Sequence, residues 1–192
     1  MRRVIIVLLA ALTVAGCGAG STERDGTDAL NLTELVKILP TQHPLDQASS
    51  QIRSVDASTL EATFARRTST DSKGYAEIGF REAVIRTWTG PDGAAMLVAA
   101  SRWPDHDVAT SVGAGAAEYA LDSKGASAWN PREIKGAIGS RVAGPRAPSR
   151  ALAIAVGDIS LVVRADGPVT DAAVIRVLDL VSRRIRAVVQ RT

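Results

Sequence analysis

Apolar and polar positions form their clearest pattern in the last third of the chain. Residues 151–156 and 159–165 are two apolar runs joined by Gly157-Asp158, a pair typical of a two-residue β-hairpin turn. After this hairpin, apolar side chains recur every three or four residues from Val174 to Val188. That spacing predicts a long amphipathic helix over 171–190.

A second hairpin is predicted in the middle of the chain. Residues 74–89 carry a β pattern, and the apolar run 94–101 follows it. Between them stands Gly90-Pro91-Asp92-Gly93, where proline suits the second position of a turn and glycine the fourth. The run 94–101 is apolar on both faces, which favours an interior strand of a sheet.

A helix over 108–121 is predicted next, because apolar residues fall at helical spacing behind a candidate N-cap at Asp107. Gly113 and Gly115 would each weaken this helix by roughly 1 kcal/mol relative to alanine. Their presence is explained if close packing against the sheet requires them.

The segment before the first hairpin begins with a predicted helix. Asn31 and Glu34 occupy the positions of a capping box, apolar residues follow at helical spacing, and Pro40 ends the helix. Residues 60–65 fit either a strand or a short helical turn, and we prefer the strand. Poor periodicity elsewhere predicts loops over 41–58 and 124–136, with a short strand over 138–143.

Together these elements predict an α+β fold. Hairpins and amphipathic helices alternate without a regular strand–helix–strand repeat, so the sheet should be antiparallel. We expect the helices 108–121 and 171–190 to cover one face of this sheet. The long C-terminal helix is the most regular element of the prediction.

The N-terminus has the features of an export signal. Arg2 and Arg3 precede an apolar run over 4–15 that is too short to span a bilayer as a permanent helix. Val14-Ala15-Gly16-Cys17 resembles the lipobox of bacterial lipoprotein signal peptides. The resemblance implies cleavage after Gly16, lipidation of Cys17 and attachment to the outer face of the cell membrane. The alternative is an ordinary cleaved signal in which Cys17 is incidental.

This interpretation divides the chain into three parts. Residues 1–16 are the signal peptide, 17–28 a flexible lipid-anchored tether rich in small and polar residues, and 29–192 one extracytoplasmic domain. Removal of the signal lowers the formal net charge from +3 to +1. No basic block is interleaved with aromatic residues, so nucleic-acid binding is not expected.

Cys17 is the only cysteine, so the folded domain can form no internal disulfide and has no thiol nucleophile. Arginine and alanine are frequent and lysine is scarce, which resembles proteins of GC-rich actinobacteria. The hairpin ending in 157–163 and the helix 171–185 resemble the end of extracytoplasmic ligand-sensing or lipoprotein domains of actinobacteria. Several of those domains contain disulfides, which this chain cannot form because it has one cysteine.

Catalytic chemistry has little support in the sequence. His106, between Asp105 and Asp107, is the best candidate for a catalytic or metal-binding group, because flanking carboxylates can orient an imidazole. The alternative is that both aspartates are ordinary turn and N-cap residues. His43 precedes Pro44 in a predicted loop. No hydrolase elbow, dinucleotide loop or phosphate loop is present, and we expect no metal and no cofactor.

Three tryptophans are the candidate binding residues in a chain with only 4% aromatic residues. Trp88, Trp103 and Trp129 could line a cleft for a small apolar ligand, or they could simply fill the core. We therefore predict a membrane-anchored binding, sensing or accessory module that contacts a small ligand or an envelope protein. The alternative is a small envelope hydrolase that uses His106.

Overall fold

Seven strands form one antiparallel sheet in the computed structural model, which describes residues 30–42, 44–45, 49–64, 74–118, 125–143 and 148–190. The strands lie in the order β1-β2-β3-β7-β6-β5-β4, so β7 is central. The elements in chain order are α1 (Leu32–Ile38), β1 (Ser49–Val55), α2 (Ala57–Phe64), β2 (Glu82–Thr89), β3 (Ala95–Arg102), α3 (His106–Glu118), β4 (Ala126–Ala128), β5 (Ile138–Val142), β6 (Ser149–Val156), β7 (Ile159–Asp166) and α4 (Asp171–Val189).

Both predicted hairpins are confirmed. β2 pairs with β3 across a turn at Pro91–Gly93, and β6 pairs with β7 across Gly157-Asp158. Gly157 has a φ of 58°, a left-handed conformation that glycine adopts without strain. β3 also pairs with β7 along eight residues, so the two hairpins lie side by side. β3 is therefore an interior strand, as its apolar faces predicted.

The α+β class and the long C-terminal helix are also confirmed, but the expected placement of both large helices on one face of the sheet is wrong. α4 and α1 pack on the face that carries the large side chains of β6 and β7. α3 and α2 pack on the opposite face, which presents Ala153 and Val162. β6 and β7 are apolar on both faces, and each face needs its own cover.

The helix predicted from Asn31 is confirmed, since the Asn31 side chain accepts a hydrogen bond of 3.2 Å from the Glu34 amide. The predicted loop over 41–58 is wrong in part, because Ser49–Val55 form the edge strand β1. Six of the seven β1 residues are exposed. An edge strand that is exposed to solvent on both faces needs no alternation of apolar and polar residues, so the sequence gives no strand pattern here.

The strand predicted over 60–65 is wrong, because most of these residues belong to helix α2. Asp56 caps this helix by accepting a 2.8 Å hydrogen bond from the Thr59 amide. Leu60 and Phe64, four residues apart, are the buried side chains of α2. Two smaller differences are that β2 begins only at Glu82, after a turn, and that β4 lies within the predicted loop over 124–136.

Three arginines attach the first described segment to the body of the domain. Arg102 donates to the Leu30 carbonyl at 2.8 Å, and Arg86 donates to the Pro40 carbonyl at 2.9 Å. Arg184 of α4 donates to the Ile38 carbonyl at 2.9 Å. Because Leu30 is also fully buried, this first described residue has a fixed position against the sheet.

Cys17, the predicted signal peptide and the tether lie outside the described residues, so they remain predictions. None of the described helices combines the length and the apolar character that a membrane span requires.

The two glycines of α3 give a prediction for the packing of this helix on the sheet. A Cβ atom at Gly113 would lie 2.9 Å from the buried Ser160 Oγ, whereas one at Gly115 would meet nothing within 4 Å. We expect Gly115→Ala to raise the free energy of unfolding by about 0.5–1 kcal/mol through helix propensity. Gly113→Ala should lower it by about 1 kcal/mol through overpacking.

Urea unfolding of both variants measures these changes. Adding Ser160→Ala to Gly113→Ala should restore most of the loss, because it removes the hydroxyl that the new methyl group meets. Equal effects of alanine at the two glycines would contradict the close approach of α3 to the sheet.

Candidate functional site

The three candidate tryptophans do not meet in one pocket. Trp88 is buried in the core on the α4 face of the sheet. Trp103 is buried on the opposite face, where its ring makes edge contacts with Tyr75 and Phe80 at centroid distances of 5.2 and 5.7 Å. Trp129 lines a surface cleft. The structure therefore puts two of the three rings into separate cores.

The cleft lies between the segment after β4 and the N-terminal half of α4, and its volume is about 610 Å³. Its apolar lining comes from Trp129 and Ile134 on the loop and from Ala172 and Ile175 on the helix. Trp129 and Ile134 are buried and belong to the core of the α4 face, so this wall is supported from behind. Volumes of 300–1,000 Å³ are usual for small-molecule sites.

One wall of the cleft is held by an ion cluster around Asp171, the first residue of α4. Arg141 of β5 and Arg150 of β6 are direct cross-strand partners. Like charges in such a pair repel each other, and the carboxylate of Asp171 lies against both. Its Oδ2 accepts from Arg141 Nη1 at 2.8 Å, and its Oδ1 accepts from Arg150 Nε. The cluster joins two strands to the start of the helix.

The ionisation of Asp171 follows from this cluster. Burial by itself raises the pKa of the carboxyl group, but the hydrogen bonds and charges of Arg150 and Arg141 outweigh it. The pKa of Asp171 is therefore lowered from its ordinary value of 3.8. Arg141 also lies over the Trp129 ring, 5.5 Å from its centroid, in a cation–π contact. Trp129 and the helix are thus held by the same arginine.

The other charged side chains of the cleft divide into paired and unpaired groups. Asp179 accepts from Arg183 at 2.9 Å one helical turn away. Glu133 on the loop and Arg176 on α4 are both exposed and line the cleft. Within the described part of the chain, neither has a hydrogen bond or ion pair. The two walls therefore carry one free charge of each sign.

His106 is the first residue of α3, and its ring contacts the β6–β7 turn. Its Nδ1 lies 3.0 Å from the Gly157 carbonyl oxygen. Because a carbonyl oxygen can only accept, Nδ1 must carry the proton of this bond. The Asp105 side chain accepts a 2.9 Å hydrogen bond from the Val108 amide and is therefore the N-cap of α3. The prediction of Asp107 as the N-cap is wrong.

His106 therefore has a structural contact, and the neighbouring Asp105 caps a helix. Among the residues that the structure describes, no three histidine, cysteine, aspartate or glutamate side chains come together as metal ligands. His43 lies outside those residues.

The charged residues of the cleft have no recognisable signal in the sequence. Arg141 and Arg150 stand nine residues apart in two strands, and only the register of β5 and β6 brings them together. Asp171 is the first residue of the helix predicted over 171–190, but nothing in the sequence pairs its carboxylate with these arginines. Glu133 and Arg176 are exposed charges, and nothing in the sequence shows that both line the same cleft.

Comparison with known proteins adds a similarity of fold. No family model matches the chain, and no curated protein matches it. Among solved structures, the extracellular domain of PknH from Mycobacterium tuberculosis is similar, with a TM-score of 0.52 and 14% sequence identity. The alignment covers 86% of this chain and 96% of that one. At this identity the similarity establishes a shared fold.

Asp171 and Asp179 provide a matched test of the ion cluster. We expect Asp171→Asn to lower the free energy of unfolding at neutral pH by about 1 kcal/mol, allowing for solvent screening of this half-exposed group. Asp179→Asn should lower the free energy of unfolding by only a few tenths of a kcal/mol, as for other i,i+4 pairs on helix surfaces.

The pH dependence of Asp171→Asn has a defined sign. A carboxylate with a lowered pKa stabilises the folded state above its unfolded pKa, and that stabilisation is lost as the pH falls through the folded pKa. The stability difference between wild type and Asp171→Asn should therefore shrink from neutral pH to about pH 3. Urea unfolding at both pH values measures it. A difference that stays constant would contradict the cluster.

Proposed function

We propose that this protein is a membrane-anchored extracytoplasmic module that binds a small ligand in the cleft between Trp129 and α4. The observation that carries the proposal is the cleft itself. Its loop wall is backed by the core, and its helix wall is held by the contacts of Asp171 with two arginines. Preformed walls reduce the entropy that binding must overcome. A cleft of this kind is suited to binding without a large change of shape.

Two further observations support the extracytoplasmic location. The N-terminal sequence resembles a lipoprotein signal with Cys17 as the lipidated residue. The fold is also that of a domain described as extracellular, from PknH. In this proposal the tether after Cys17 leads to Leu30, which Arg102 holds at one end of the sheet.

We propose that the module works by binding and not by turnover. The ring of His106 donates to the Gly157 carbonyl, and Asp105 caps α3, so both have structural roles that need no substrate. The small ligand has an apolar part that packs against Ala172 and Ile175 of α4, beside the largely buried Trp129. An envelope protein is the alternative partner, and co-purification of a protein with no small molecule would identify it.

Membrane attachment is tested by changing the predicted lipidation site. We expect wild-type protein, expressed in an actinobacterial host, to partition into the membrane fraction and to take up radiolabelled fatty acid. Cys17→Ser should lose the label and leave the membrane fraction, because stable anchoring needs the acyl chains. Unchanged membrane partitioning of Cys17→Ser would contradict the lipid anchor.

Occupancy of the cleft is tested by filling it. Ala172 is an exposed residue that lines the cleft, and Ala187 is an exposed alanine of the same helix outside the cleft. We expect native mass spectrometry of gently released protein to show a small-molecule adduct. Ala172→Trp should lower the bound fraction at least tenfold, and Ala187→Trp should leave it unchanged.

Thermal unfolding serves as the folding control, since both substitutions add the same side chain at an exposed helical position. An adduct that survives Ala172→Trp would place the ligand elsewhere. A consistently ligand-free mass would contradict the proposed function and direct attention to protein partners.

A further inference from the structure

The two walls of the cleft carry unpaired charges of opposite sign. Glu133 belongs to the loop wall, and Arg176 belongs to the helix wall. Both side chains are exposed, and neither has an ion-pair partner in the described ranges. The same loop also carries Arg132 and Lys135, but neither of these lines the cleft.

The other charges of the cleft are already compensated within the protein. Asp171 accepts from Arg141 and Arg150, and Asp179 pairs with Arg183. A charged ligand would have to displace these contacts to use the groups that make them. The charges that can form new ion pairs at no such cost are therefore Glu133 and Arg176.

Apolar surface lies in the cleft together with these two charges. Ala172 and Ile175 supply it from the helix, whereas Trp129 and Ile134 on the loop are only 7% and 4% exposed and contribute little. A ligand that meets both charges would also place its body against this surface. Apolar burial supplies free energy in proportion to area, and the two charges would fix the orientation.

We propose that the ligand of this cleft is a small zwitterion with an apolar body, such as an amino acid or a short peptide. Its carboxylate binds Arg176, whose planar guanidinium suits a carboxylate, and its ammonium group binds Glu133. This inference rests on the proposed function, since it names the class of ligand for the same cleft.

Other ligand classes fit the cleft less well. A sugar usually stacks on an open aromatic face, but Trp129 is only 7% exposed and Arg141 lies over its ring. A purely anionic ligand would be repelled by the nearby carboxylate of Glu133. A purely cationic ligand would be repelled by the guanidinium of Arg176. A neutral lipid chain would leave both charges unused. A zwitterion can form an ion pair with Glu133 and another with Arg176.

A ligand series that removes one charge at a time tests the inference. The probes are L-leucyl-L-leucine, its N-acetyl form, its C-terminal amide and the form blocked at both ends. We expect titration calorimetry to show each singly blocked form binding at least tenfold more weakly than the zwitterion, and the doubly blocked form more weakly still. Amide chemical-shift changes in ¹⁵N spectra should cluster in the 129–137 loop and the first half of α4.

Variants assign each charge to its wall. Glu133→Gln should weaken the zwitterion at least tenfold but leave the N-acetyl form almost unchanged, because that form has no ammonium group to lose. Arg176→Gln should also weaken the zwitterion at least tenfold but leave the C-terminal amide almost unchanged, because that form has no carboxylate to lose. The matched controls are Lys135→Gln in the same loop and Arg186→Gln on the same helix, both exposed and outside the cleft lining. Neither control should change the order of the four probes.

The outcomes separate this inference from the proposed function. The proposal of a zwitterionic ligand is overturned if the four probes bind equally or if the dipeptide does not bind at millimolar concentration. If native mass spectrometry still shows an adduct sensitive to Ala172→Trp, the proposed binding function stands with another class of ligand. An order of affinities that follows the two charges supports the inference without reliance on any single variant.

Discussion

The β6–β7 hairpin is the part of the molecule on which the rest depends, because helices bury it from both sides. Its two faces differ in side-chain size. Ala153 and Ser160 face α3, where Gly113 allows close approach, whereas larger residues such as Leu152 and Leu161 face α4. One face is therefore a close contact of small residues and the other a deep apolar core. The difference determines how near each helix lies to the sheet.

Arginine has a second organising role in this domain. Three arginine side chains bind backbone carbonyls of the first described segment, and two more hold the N-terminus of α4 through Asp171. With its lone cysteine at position 17, the folded domain cannot use an internal disulfide for these tasks. Arginine suits them because its planar fork presents several donors in fixed directions. The contacts of Asp171 with its two arginines hold the helix wall of the cleft in place.

The cleft shows how far sequence analysis reaches toward a binding site. Trp129 was found because tryptophan is rare here, but the same argument selected Trp88 and Trp103, which fill two separate cores. Aromatic content alone cannot distinguish a ring in a core from a ring beside a cleft. The charged cluster beside Trp129 is built from β5, β6 and α4, and its assembly depends on strand register and on the position of α4.

Local patterns in the sequence were sufficient for both hairpins, for α1, α3 and α4, and for the antiparallel α+β class. Turn residues and helical spacing act over a few neighbours, so a single sequence displays them. The face that each helix covers was decided by tertiary structure, because both faces of β6 and β7 are apolar and either could have received α3. The solvent-exposed edge strand β1 and the placement of Glu133 and Arg176 in one cleft also depend on tertiary structure. Their positions depend on contacts between residues far apart in the chain, which no local pattern records.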